Sequence, residues 1–134
     1  MWVIDTNVVV SGLITKNADS PAAQWLDGMV LGRFPFALSA ALLAEYRRVL
    51  LRPALRKLHG LNEREVDAVL LEVAQHAVEL QAVPGPSAPD PGDQMLWDLL
   101  ASHESLLLVT GDKRLQVARG MQGRVLSPAE ALSR

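Results

Sequence analysis

The sequence predicts an α/β fold, a three-layer sandwich of helices around a short parallel sheet. Short apolar runs alternate along the chain with longer segments that carry helix start and stop signals, which is typical of strand–helix units. A chain of 134 residues is also in the usual size range for one core. We therefore expect a single domain over residues 1–134.

Four short apolar runs are the predicted strands. Each is bounded by turn or helix-capping residues, as buried strands usually are. Residues 83–92, with four Pro and two Gly, form the one long predicted loop. The predicted strands are residues 1–4, 36–38, 106–109 and 124–126.

The predicted helices are recognised from their ends. Ser20 ahead of a proline indicates a helix start, and Gly32 indicates its end. Asn62 and Glu65 have the spacing of a capping box. Pro53 is expected to terminate the helix before it. The predicted helices are residues 8–13, 21–32, 39–51, 63–80, 93–102 and a terminal helix from 128.

The composition excludes several classes of protein. There is no cysteine, which excludes disulfides and thiolate metal sites and makes a cytoplasmic location the default expectation. No apolar run approaches the roughly 18 residues that a membrane span requires. The net charge of −2 gives no global sign of nucleic-acid binding, so any such surface must be local. The 49% of hydrophobic residues is high enough to predict apolar surface for a partner to cover.

Acidic residues follow two predicted strands and lie on two helices that flank the same edge. Asp5 directly follows the first strand, and Asp112 follows the third. Glu45 lies beside the apolar stripe of its helix, and Asp93 begins the helix after the proline-rich loop. Ligands bind at the carboxyl ends of parallel strands. Each acid alone is explained by a turn, a cap or a boundary position, so only the combination predicts a functional site.

Four carboxylates brought together would require compensation. Two of them 4 Å apart repel by about 4 kcal/mol at an effective dielectric near 20. Either some retain protons, with raised pKa values, or divalent cations neutralise them. Oxygen ligands without cysteine or clustered histidine favour Mg²⁺ or Mn²⁺, which are suited to phosphoryl chemistry.

Four motifs, in this order and spacing, resemble those of PIN domains. The resemblance covers essentially the whole chain and is closest to the subfamily of toxin components in bacterial and archaeal toxin–antitoxin pairs, relatives of VapC-type toxins. The motifs are Asp5–Ser11, Leu38-Ser39 with Leu42–Tyr46, Asp90–Asp93 with Leu96, and Leu108–Lys113.

The resemblance implies a metal-dependent ribonuclease that hydrolyses RNA phosphodiesters with Mg²⁺ or Mn²⁺ and leaves a 5′-phosphate. It also implies two kinds of protein partner, a cognate antitoxin and a second copy in a homodimer. Gln94 departs from the pattern, because this subfamily commonly has a second Asp at that position. The implied catalytic and metal-binding acids are Asp5, Glu45, Asp93 and Asp112, with Asp98 as an auxiliary ligand, and the residues that orient acids or waters are Thr6, Asn7 and Thr110.

Basic residues next to the proposed acids are candidates for binding RNA. Their positions fit a phosphate track leading to a cleavage site, although a solvated helix face explains such a run equally well. These candidates are Arg47, Arg48, Arg52, Lys113 and Arg114.

Two alternatives come from other classes. Phosphate-transferring hydrolases of the haloacid-dehalogenase type also begin with a strand and an Asp. They need a second Asp two residues later, where this chain has Asn7, and another soon after Gly-Asp, where Lys113 and Arg114 follow. The second alternative is an inactive PIN scaffold that acts through protein or RNA binding. The four acids argue against it, and Gln94 keeps it open.

Overall fold

A parallel sheet forms the centre of the computed structural model, which describes residues 1–134. The chain has five strands: β1 (Trp2–Ile4), β2 (Ala37–Leu38), β3 (Val78–Glu79), β4 (Leu107–Val109) and β5 (Val125–Leu126). Eight helices surround them: α1 (Thr6–Ile14), α2 (Pro21–Leu31), α3 (Ala40–Leu50), α4 (Pro53–His59), α5 (Glu63–His76), α6 (Gln94–Ser102), α7 (Lys113–Gln116) and α8 (Pro128–Leu132).

All strand pairs are parallel. β4 lies between β1 and β5, and β2 pairs with β3. A parallel bridge between Trp2 and Phe36 places the β2–β3 pair beside β1. Parallel strands joined through helices build the expected α/β fold around a short sheet, which is confirmed.

The helix ends follow the predicted signals closely. The side chains of Ser20 and Ser39 cap α2 and α3, and Asn62 with Glu65 forms a complete capping box at α5. Gly32 ends α2 in the left-handed conformation with φ of 67°, which a residue with a side chain adopts only under strain.

Three elements differ from the sequence prediction. Pro53 does not only end α3; it also occupies the first turn of α4, where its fixed φ and missing N–H are tolerated. The helix predicted to reach residue 80 ends at His76, because Val78 and Glu79 pair with β2 as β3. The short helix α7, capped by Asp112, was not predicted.

The core is built from the sheet and the helices on it. Ile4, Leu108 and Val109 of the central strands are fully buried. Trp25 of α2 contacts the rings of Trp2 and Phe34 edge to face, at centroid distances of 5.0 and 4.8 Å. No helix is both long and apolar enough to cross a membrane.

Two central strands end side by side. Ile4 of β1 pairs with Val109 of β4, and the next backbone amide, that of Asp5, donates to the Val109 carbonyl over 2.9 Å. The residues that follow these strands, Asp5 and Thr110, therefore emerge together at the carboxyl edge of the sheet.

Candidate active site

Four carboxylates from four separate segments line one cavity at this edge. Its volume is about 340 Å³, and we call it the acid cavity. Its apolar wall comes from α1, α3 and α6: Val10, Leu42, Val49, Met95 and Leu96. Its polar lining is Asp5, Thr6, Asn7, Ser11, Glu45, Arg52, Asp93 and Asp112.

Asp5 lies at the base of the acid cavity, between β1 and α1. Its side chain is buried and caps α1 by accepting from the Thr6 amide over 2.7 Å. Its other carboxylate oxygen accepts from the Thr110 hydroxyl over 2.7 Å and from the Asn7 amide over 3.1 Å. Burial raises the pKa of Asp5 to about 6, against the opposing effect of these hydrogen bonds.

Thr110 and Asn7 link the loop after β4 to the start of α1. The Thr110 hydroxyl accepts from the Asn7 side-chain amide over 3.2 Å and from the Asp112 backbone amide over 3.0 Å. The Asn7 side-chain oxygen accepts from the Gly111 amide over 3.0 Å. This network fixes Asp5 and the Asp112 backbone relative to each other. It contains Asn7 and Thr110, two of the three residues for which the resemblance implied an orienting role.

Asp93 is the least restrained of the four acids. It directly precedes α6 but its side chain makes no capping hydrogen bond, so the simplest structural explanation for an acid at this position does not apply. It is half-buried, and burial raises its pKa, followed by the nearby charges of Asp90 and Asp112. Its carboxylate is therefore available to a ligand in the cavity.

Asp112 has two structural interactions of its own. It caps α7 by accepting from the Arg114 amide over 2.9 Å. The Arg114 guanidinium also reaches back to both carboxylate oxygens, over 3.3 and 3.0 Å. These hydrogen bonds with Arg114 lower the pKa of Asp112, in contrast to the raised pKa values of Asp5 and Asp93.

Glu45 faces the cavity from α3, where it is half-buried, and forms an ion pair with Arg48 one turn later. α3 is anchored to the sheet by the next residue, Tyr46, whose buried hydroxyl donates to the Ile4 carbonyl. Burial raises the pKa of Tyr46, which keeps this hydroxyl protonated as a donor. Tyr46 thus holds Glu45 over the end of β1.

The four acids fit a divalent cation by their chemistry, since all their donor atoms are the oxygens that Mg²⁺ and Mn²⁺ prefer. Their present arrangement does not form a ready ligand set, because no group of three or more His, Asp or Glu side chains is placed to hold a metal ion. Two of the acids, Asp112 and Glu45, are paired with arginines instead.

Asp98 and Gln94 lie outside the acid cavity. The Asp98 carboxylate accepts from the Gly85 amide over 2.9 Å and from the Gln94 side chain over 3.0 Å. Gln94 also donates to the Pro86 carbonyl and accepts from the Ala88 amide, both over 2.9 Å. The two side chains therefore hold the proline-rich loop against α6, and the structure does not bring Asp98 to the other acids.

The predicted basic residues are divided between two faces. Arg52 lines the acid cavity and has no ion pair. Arg47 points away, toward α5, where it pairs with Glu63 and Asp67 over 2.6 and 2.8 Å. Lys113 is exposed at the start of α7 and forms no ion pair.

Sequence reasoning missed the two arginine–carboxylate pairs and the anchoring role of Tyr46. The spacing of Glu45 and Arg48, three residues apart on a helix, is a signal for the first pair. The Arg114 contact depends on the start of α7, which was not predicted, and the Tyr46 contact joins residues 42 positions apart.

Comparison with known proteins bears on the whole of this site. A family model described as PIN domain matches residues 2–114, a range that contains all four acids of the cavity. The search of curated proteins found no match.

Proposed function

We propose that this chain, which belongs to the PIN-domain family, is a metal-dependent endoribonuclease. Members of that family are generally nucleases and bind nucleic acids. The observation that carries the proposal is the meeting of Asp5, Glu45, Asp93 and Asp112 in one cavity. They come from distant parts of the chain, and a fold gains no stability from collecting like charges without a ligand to neutralise them.

Asp5, Glu45, Asp93 and Asp112 are the residues that would hold Mg²⁺ or Mn²⁺. When bound, the cation supplies a Lewis acid that activates water and neutralises charge on the phosphate. Asp5 contributes a carboxylate whose direction is fixed by Thr6, Asn7 and Thr110. No protein group donates a hydrogen bond to the Asp93 carboxylate. This carboxylate is therefore free to accept a hydrogen bond from the attacking water and to position it.

The substrate is proposed to be held by cations beside the cavity. Arg52 lines the cavity without an ion pair, so its guanidinium is free to bind a phosphate. Lys113, exposed next to Asp112, is a second candidate for a phosphate contact. Arg47 is engaged on the opposite side of α3, and its two carboxylate partners already neutralise it.

The toxin role is a further part of the proposal. It rests on the likeness of the four motifs to toxin components, and it includes a homodimer, a cognate antitoxin and a cytoplasmic location. An apolar groove of about 450 Å³ between α3 and α5 provides a surface for a protein partner. Leu71 in this groove is 58% exposed, a large apolar side chain left to solvent.

The oligomer and the antitoxin are tested separately from the chemistry. One chain has a mass of 14.6 kDa. Light scattering at high concentration is expected to give twice this value. A strictly monomeric mass removes the homodimer from the proposal. The toxin role predicts a short open reading frame directly upstream of the gene. Co-expression with its product is expected to yield a stable complex and to relieve growth inhibition by the chain alone.

The nuclease activity is tested on a single-stranded RNA with a labelled 5′ end. Cleavage is expected with Mn²⁺ or Mg²⁺ and not with a chelator, and the products are expected to carry 5′-phosphates. Asp93→Asn is expected to abolish cleavage. Asp27→Asn removes an exposed acid from α2 that does not line the acid cavity. It serves as the matched control and is expected to leave cleavage unchanged. Cleavage that survives the chelator contradicts the metal-dependent mechanism.

A binding scaffold without catalysis is the second candidate. It is favoured by one observation, the lack of three acidic side chains already placed to hold a metal ion. Calorimetric titration with Mn²⁺ separates the two, because a scaffold has no reason to bind the cation. The nuclease proposal requires a saturable site that Asp5→Asn removes.

A further inference from the structure

Arg114 and Asp112 form an ion pair inside the proposed metal site. The guanidinium donates from Nε to one carboxylate oxygen over 3.3 Å and from Nη2 to the other over 3.0 Å. A two-pronged contact of this kind occupies both oxygens that Asp112 would offer to a cation. The arginine therefore stands in for the divalent ion at this carboxylate.

The two partners differ in how firmly they are held. The Arg114 side chain is 73% exposed and makes no other hydrogen bond, whereas the Asp112 side chain is 23% exposed. Asp112 also keeps its bond to the Arg114 backbone amide and its own amide donates to the Thr110 hydroxyl. Two hydrogen bonds therefore hold Asp112 without the guanidinium.

We propose that Arg114 is an exchangeable counter-ion for Asp112. Arg114 neutralises Asp112 in the metal-free protein, and when the metal ion binds, Arg114 is displaced and binds an RNA phosphate. The inference rests on the proposed function and adds to it a competition between arginine and cation. It gives Arg114 two successive partners of the same charge, first a carboxylate and then a phosphate, which a planar guanidinium binds in the same forked manner.

The neighbouring Lys113 provides an internal comparison. It carries the same charge one residue away, is exposed, and has no carboxylate partner. A general electrostatic effect on metal binding would be similar for both residues. Direct competition for Asp112 applies to Arg114 alone.

The competition is measured by calorimetric titration of Mn²⁺ into the full chain without RNA. Exposed ion pairs are weak, so Arg114→Gln is expected to bind Mn²⁺ only about two- to fivefold more tightly than the wild type. Lys113→Gln is expected to change the affinity by less than half as much. Arg114→Lys is expected to resemble Arg114→Gln in its Mn²⁺ affinity, because a single ammonium lacks the planar fork with which arginine contacts both carboxylate oxygens.

The second arm adds a 2′-O-methyl RNA oligonucleotide, and gel electrophoresis after the titration checks that it has stayed intact. It is expected to raise the Mn²⁺ affinity of the wild type, because phosphate draws Arg114 away from Asp112. The increase is expected to be smaller in Arg114→Gln. An equal increase in both proteins overturns the transfer of Arg114 to phosphate.

The possible results distinguish the counter-ion role of Arg114 from the proposed nuclease function. Wild-type binding of Mn²⁺ with no gain in Arg114→Gln, or with an equal gain in Lys113→Gln, overturns the exchangeable counter-ion and leaves the nuclease proposal standing. No Mn²⁺ binding by any of the four proteins overturns the metal site itself, and the counter-ion with it.

Discussion

Thr110, the residue after β4, donates a 2.7 Å hydrogen bond to the buried carboxylate of Asp5, the residue after β1. The two are 105 positions apart in the chain, and the contact exists because their strands end side by side. Thr110 is fully buried, and its hydroxyl also accepts from Asn7 and from the Asp112 amide. One hydroxyl thus connects two of the four segments that form the acid cavity, the start of α1 and the loop after β4.

Thr110→Val is expected to destabilise the fold although it preserves the size of the side chain. The buried Asp5 carboxylate loses one donor and the Asp112 amide loses its acceptor, and a buried group left without its partner costs about 1–3 kcal/mol. Urea denaturation with a chelator measures the change. Thr110→Ser retains the hydroxyl and serves as the control, with an expected loss of roughly 1 kcal/mol or less for one methyl group. Equal stability of the valine variant and the wild type contradicts this role.

The metal-free protein is expected to lose stability as the pH rises from about 4 to about 6. Burial raises the pKa of Asp5 to about 6, so in this window the folded state keeps a proton that the unfolded chain has released. Between pH 4.5 and 7.5, Asp5 alone accounts for a decrease of about 2 kcal/mol in the free energy of unfolding, since one pKa unit corresponds to about 1.4 kcal/mol and the pKa lies about 1.5 pH units above the lower end of this range.

This pH dependence is measured by urea denaturation with a chelator between pH 4.5 and 7.5. The raised pKa of Asp93 acts in the same direction. Asp5→Asn has no proton to lose at this position and is expected to flatten the decrease. The same slope in wild type and variant shows that another group is responsible.

Gln94→Ala is expected to release the proline-rich loop without unfolding the domain. The substitution removes contacts to Pro86, Ala88 and Asp98 that hold the loop on α6. Hydrogen exchange at the Ala88 amide, whose acceptor is lost, is expected to accelerate more than tenfold, as follows from about 1.4 kcal/mol or more of lost local protection. Gln94→Glu keeps the acceptor for Ala88 but loses the donations to Pro86 and Asp98, so it is expected to slow this exchange again only in part. Unchanged exchange in the alanine variant contradicts the loop-holding role.

Arg52→Gln and Arg47→Gln are expected to separate RNA binding from helix packing. Arg52 lines the acid cavity without a partner, so its loss is expected to weaken RNA binding by about three- to tenfold and to reduce its salt dependence. Arg47 is paired with Glu63 and Asp67, and its loss is expected to leave RNA affinity within about twofold. Fluorescence anisotropy with a labelled RNA in chelator measures both. A larger loss of RNA affinity in Arg47→Gln than in Arg52→Gln contradicts the proposed role of Arg52 in binding RNA phosphate.

Much of the fold was predictable because its signals are local. Ser39, Asn62 and Gly32 act through the backbone groups next to them, and the structure confirms the helix ends they mark. β3 was not predictable in the same way. Val78 and Glu79 become a strand only because β2 lies beside them, and Val78 is 40% exposed, so no apolar run announces the strand.

The acid cavity shows the same division. The position of Asp5 and Asp112 after strands predicted that they would meet, because parallel strands end at one edge. The pairing of Asp112 with Arg114 depends on side-chain directions around the unpredicted α7. Asp98, one helical turn after Gln94, was implied as an auxiliary ligand by the resemblance alone, and its direction on α6 takes it to the Gly85 amide instead.

The most direct test of the account is the rate at which Asp5→Asn cleaves RNA, measured under single-turnover conditions with Mn²⁺. Loss of the anionic ligand is expected to remove about 3–4 kcal/mol of transition-state stabilisation, a decrease of roughly two to three orders of magnitude in rate. Thermal unfolding of both proteins is measured alongside the assay, in the presence of a chelator. The variant is expected to be at least as stable as the wild type at pH 7.5, since losing a buried charge offsets the altered hydrogen bonds of Thr6 and Thr110.

Asp27→Asn, on the exposed face of α2, is the control and is expected to cleave at the wild-type rate. A folded Asp5→Asn protein that cleaves within about threefold of the wild type contradicts the catalytic role of the acid cavity. The expected result is a folded Asp5→Asn protein that no longer cleaves, beside an active control.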